Sequence, residues 1–94
     1  MTKMQEFEIL SAESNCVIAR YSGRHYPGVL IQGDTLRALL DDVEELIEEM
    51  DAQDLSSAKE VILNIQDRIA DVLRYYEKTL DSEGCELPYA KRVL

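Results

Sequence analysis

One histidine, two cysteines and nineteen carboxylates are the residues of this 94-residue chain with the chemistry for catalysis or metal binding. His25 sits between Arg24 and Tyr26 in a turn-like stretch. General acid–base work requires a partner within hydrogen-bond reach, such as a nearby carboxylate, and the competing enzymatic reading is a hydrolase that uses His25 with Asp34 and a cysteine, Cys16 or Cys85. Zinc sites use three or four protein ligands, mostly Cys and His with some Asp or Glu, and their sequence signatures bring Cys or His together at close spacing. A single histidine with no CxxC or HExxH does not match such a signature. Ser56 and Ser57 lack the GxSxG surroundings of an activated serine. Gly23, Gly28 and Gly33 are evenly spaced, but no GxxxxGK[ST] phosphate loop follows. The acids Asp41 and Glu45, or Glu44 and Glu48, stand four apart on a helix, where they repel one another. Calcium would need six to eight oxygens from a loop. The sequence therefore points to no catalytic residue, no metal and no cofactor, and the chain reads as non-enzymatic.

The charge distribution is more specific. The formal net charge is -9. Residues 1–33 balance Lys3, Arg20 and Arg24 against Glu6, Glu8 and Glu13. Residues 55–94 carry six bases and seven acids. Nearly all the excess lies in 34–54, where Arg37 is the single base against nine acids. A non-specific nucleic-acid binder would be basic, and no basic cluster is present for anionic lipid. No signal-peptide run or membrane-spanning stretch occurs. Two cysteines are few for a small secreted scaffold. A cytoplasmic location is expected.

The positioning elements follow from periodicity. Phe7 and Ile9 alternate with Glu6 and Glu8, the period of a half-buried strand. Residues 11–15 read as a polar break, and 16–21 as a second strand with Cys16 inside it. Ser22-Gly23-Arg24 is a turn, and 25–32 a third strand that Pro27 pushes to a start, bulge or edge. Gly33 marks a switch to a 3.6-residue period. Leu36, Leu39, Leu40, Val43, Leu46, Ile47 and Met50 make one apolar helix face over 34–50, with Asp34 or Thr35 as N-cap. A capping box, Ser57 to Glu60, opens a long second helix over 56–81. Its near-heptad stripe runs through Ile62, Ile65, Ile69, Val72 and Tyr76. Gly84 closes that helix, and 82–94 form an extended tail. The expected fold is a single α+β domain: a three-stranded antiparallel sheet (1–33) packed on the first helix, then an antiparallel helix pair. The long stripe outreaches the first helix, so a homodimer through it is expected.

The segment from Arg24 to Leu36, with Tyr26-Pro27-Gly28-Val29 and Gln32-Gly33-Asp34-Thr35-Leu36, resembles the signature of a family of small uncharacterised bacterial proteins. The resemblance continues at Tyr75-Tyr76-Glu77 and Leu87-Pro88-Tyr89 and implies no catalytic residue. Tyr26-Pro27-Gly28 and Gly33-Asp34-Thr35-Leu36, within about residues 15–50, also resemble HicB-type antitoxins. That likeness implies a partial ribonuclease-H-like fold that binds and blocks a small toxin.

Two function classes follow. The first is a small acidic binding protein, antitoxin- or immunity-like, that meets a basic partner through Asp41, Asp42, Glu45, Glu48 and Glu49. The second is a structural or accessory homodimer whose acidic face is only solvated. A ligand site at Arg24, Tyr26, Gln32 and Asp34 is a further expectation, placed where the first resemblance is densest.

Overall fold

The computed structural model describes residues 2–13 and 16–94. Three strands come first: β1 (Phe7–Glu13), β2 (Cys16–Tyr21) and β3 (Gly28–Ile31). They form one antiparallel sheet in the order β1-β2-β3. Two helices follow, α1 (Gly33–Asp51) and α2 (Leu55–Ser82). The α+β class and the element order agree with the sequence pattern.

β1 runs further than its alternation suggests, because Ser11, Ala12 and Glu13 stay paired with β2. The register shifts between Ile9 and Ser11, so the alternation is broken by a bulge rather than by the end of the strand. The rest of the expected break, residues 14 and 15, lies outside the described residues. Gly23 turns the chain into β3 with φ +85°, a conformation that favours glycine. Arg24 N–H closes that turn on the Tyr21 carbonyl at 3.0 Å. Pro27 sits just before β3, where its missing N–H removes no ladder bond.

The chain divides into two compact units, one built from 1–31 and 74–94 and the other from 32–73. In the first unit Ile18 of β2, Tyr76 and Leu80 make the buried core. Leu10, Cys16, Val29, Tyr75, Cys85 and Leu87 pack around it. The side chains packed on the sheet thus come from the last turns of α2 and the tail, where the sequence had suggested α1. This also corrects the dimer stripe: Tyr76 is 5% exposed and belongs to this core. The end of the long helix covers its own sheet.

In the second unit α1 and α2 form a hairpin through residues 52–54. The α1 C-terminus ends in a Schellman pattern, with Asp54 N–H on the Glu49 carbonyl and Gln53 N–H on Met50, both 3.0 Å. Gln53 takes the left-handed position, φ 60°, usually given to glycine. Asp54 caps α2: its carboxylate accepts from Ser57 N–H at 3.0 Å and from the Ser57 hydroxyl at 2.9 Å. The cap is therefore Asp54, three residues before the Ser57 expected from the sequence. The far end of α2 closes on Gly84, φ +68°, with Cys85 N–H on Leu80 at 2.8 Å and Gly84 N–H on Asp81 at 3.2 Å.

Candidate functional site

α1 presents the acidic surface. Asp34, Asp41, Asp42, Glu44, Glu45, Glu48, Glu49 and Asp51 face a single base, Arg37, within the helix. Arg37 Nε pairs with Asp41 Oδ1 at 3.0 Å along the same helix. Asp42 departs from the expected outer face. It turns toward α2, where its Oδ2 lies 3.3 Å from Arg68. That oxygen is enclosed and the contact lacks hydrogen-bond geometry, so the attraction is ionic. Glu45 and Glu48 are exposed, Glu49 is half-buried, and among the described residues no base pairs with any of the three. The acidic surface is thus Asp41, Glu45, Glu48 and Glu49, with Glu44 beside them.

The four residues of the expected ligand site divide between the two units. Arg24 and Tyr26 belong to the sheet unit. They rim a depression of about 640 Å³ over the sheet face opposite the core, floored by Phe7, Ile9, Val17, Ala19 and Leu30. Phe7 and Tyr21, paired across β1 and β2, hold their rings 5.3 Å apart at its edge. The alternation of Phe7 and Ile9 indicates this face, because residues two apart share a side of a strand. Gln32 and Asp34 belong to the helical unit. Gln32 is the N-cap of α1 and its side chain makes no capping bond. The expected caps do not act as such: Asp34 lies in the first turn and accepts from Thr35 N–H at 2.8 Å.

His25 is exposed. Its ring stands 4.6 Å from the Tyr26 ring, edge to face, and its Nε2 is 3.7 Å from Glu86. Both cysteines are reduced and half-buried. Burial, with a smaller contribution from Glu13, pushes the Cys16 thiol upward, so that thiol is poorly nucleophilic. Arg20 lies against Cys85 Sγ at 3.9 Å and pairs with Glu8. Among the described residues no group of three or more metal-ligating side chains comes together. No helix among them is long and apolar enough to cross a membrane.

Two polar contacts in the sheet unit are invisible to motif reading. The Tyr76 hydroxyl donates to the Pro27 carbonyl at 2.6 Å. The Tyr89 hydroxyl donates to Glu77 Oε2 at 2.8 Å. Burial first, and then this bond to Glu77, push Tyr89 up to about 12. Tyr75 adds a hydroxyl contact to Ser11 of β1.

A three-stranded antiparallel sheet followed by two helices, the first of them acidic, defines a small α+β protein. The chain belongs to DUF6959, a family of unknown function whose model matches residues 2–89. No curated protein and no solved structure matches it.

Proposed function

We propose that this protein is a small non-catalytic binding protein that neutralises or modulates a basic protein partner, in the manner of an antitoxin or immunity protein. The observation that carries the reading is the set Glu45, Glu48 and Glu49, three neighbouring carboxylates of α1 with no base paired to them among the described residues. Asp41 joins this set but shares its charge with Arg37, and Asp42 is held by Arg68. Acids crowded on one helix repel each other and weaken it slightly. A cationic surface relieves that repulsion and is steered to it, raising association rates by about 10- to 1,000-fold at low salt. The likeness of residues 15–50 to HicB-type antitoxins supports the neutralising role.

Affinity capture from the native cell tests this. The unaltered chain should retain a specific basic protein, and Glu45→Lys, Glu48→Lys and Glu49→Lys together should release it. Equal capture by both chains, or capture by neither, overturns the reading.

A further inference from the structure

The helical unit carries a second surface, on the side of α1 away from Glu45. Leu36, Leu40, Val43, Ile47 and Met50 recur at spacings of 4, 3, 4 and 3. That is the repeat of a coiled-coil seam, yet these side chains are 39% to 60% exposed and α1 has no buried residue. α2 supports the same face. Ile65 and Ile69 line a groove of about 570 Å³ together with Leu36, Leu40 and Val43, and Ile62 is 48% exposed. A helix that offers a matching seam fits this face. The exposed stripe amounts to on the order of 600 Å² per hairpin, against roughly 800 Å² contributed by each partner in a standard stable interface.

The rims of the face determine how a second copy would sit. Asp42 points to Arg68, so its flank of α1, with Leu39 and Leu46, faces α2. The opposite rim holds Glu44, Glu48 and Asp51, with Arg37 as its one base. On α2 the outer rim carries Lys59 and Gln66, close to Ile62 and Ile69 in the helical repeat. Laying α1 on another α1 would set two acidic rims together. A two-fold axis parallel to the helices avoids this, since it lays each α1 on the other copy's α2 and makes every neighbouring pair antiparallel. Asp42 and Arg68 meet across the hairpin, and nine residues on along α1 and nine back along α2 stand Asp51 and Lys59.

We propose that a second copy of this chain covers this face, forming a four-helix bundle in which each α1 lies on the other copy's α2 and Asp51 meets Lys59 between copies. Of the three carboxylates of the proposed function the bundle leaves Glu45 and Glu49 outside it and takes only Glu48 at its rim.

Sedimentation of the full chain at micromolar concentration should give twice the 10.7 kDa chain mass. In an equal mixture of light and ¹⁵N-labelled chains, carbodiimide should link Asp51 of one isotope to Lys59 of the other. Asp51→Lys or Lys59→Asp alone should weaken the dimer about 3- to 10-fold, and the double exchange should restore it. Leu40→Glu with Ile69→Glu should give a helical monomer. The charge exchanges keep the test valid if that pair fails to fold. A 10.7 kDa species throughout, including one that binds a basic amphipathic peptide on this face, overturns the proposal, as does a dimer indifferent to both single reversals.

Discussion

Tyr76 donates its hydroxyl hydrogen to the Pro27 carbonyl across 49 positions of sequence, at 2.6 Å. One residue on, Glu77 accepts from Tyr89. These two bonds join Tyr26-Pro27-Gly28, Tyr75-Tyr76-Glu77 and Leu87-Pro88-Tyr89, three separate stretches of the sequence signature. Leu87 adds its side chain to the same core. Much of the signature in the sheet unit is therefore accounted for by packing and hydrogen bonding. Proline can supply only the acceptor of such a bond, and the buried phenol supplies the donor.

Tyr76→Phe keeps the ring and removes that donor. The Pro27 carbonyl is then left without its partner, and the expected loss is about 1–2 kcal/mol in urea unfolding. Tyr76→Ala also opens a cavity beside Ile18 and Leu80 and should cost about 3–5 kcal/mol. Equal stability of native and Tyr76→Phe chains would show that the bond contributes nothing net.

Gln53 occupies a left-handed backbone position where a Cβ is strained. Gln53→Gly should raise stability by about 1 kcal/mol, read as a higher urea midpoint with an unchanged slope. Gln53→Val should move the midpoint the other way.

Asp54→Ala removes both bonds to Ser57 and should lower Tm by roughly 4–8 °C. The pH dependence has a fixed sign. Hydrogen bonds from the Ser57 N–H and then its hydroxyl hold the Asp54 carboxyl below its ordinary value of 3.8. Its contribution is present above that value and is lost as pH falls through the lower folded-state value. The Asp54→Ala chain should therefore lose less stability on acidification than the native chain.

Tyr89 gives an alkaline counterpart. Its phenol ionises near 10 in the unfolded chain and at about 12 in the folded one. Its contribution is full below pH 10 and is lost as pH rises through about 12. Tyrosinate absorbance should show one of the five tyrosines titrating at about 12, absent in Tyr89→Phe and lowered in Glu77→Gln. Lowering in Glu77→Gln should be incomplete, because burial, the largest single cause of the shift, remains.

The elements were legible where periodicity is long. α1 follows from its apolar spacing, and Gly23 and Gly84 occupy the turn positions that only glycine takes easily. What the sequence could not show is which partner each periodic face takes. The α2 stripe continues unbroken from Ile62 to Tyr76, yet the end at Tyr76 packs under β2 while Ile62 and Ile69 stay half-exposed. Periodicity specifies a face and is silent on what covers it. Asp42 was hidden for a related reason. It lies beside Asp41 in sequence, but one step along a helix is a rotation of about 100°, enough to turn it to Arg68. The Gln53 terminus carried no glycine to announce it.

The sheet unit is assembled from both ends of the chain, with residues 32–73 between its two parts. Synthesis proceeds from the N-terminus at about 5–20 residues per second. The three strands therefore emerge well before Tyr76 and Leu80 exist, and the intervening 42 residues take roughly 2–8 s to make. Throughout that interval Ile18 lacks Tyr76 and Leu80, and Phe7, Ile9 and Leu30 lie exposed on the opposite face. The helical hairpin, contiguous in sequence, completes first. Translation that stops after Leu73 therefore leaves the sheet without Tyr76 and Leu80, the two residues that complete its core with Ile18.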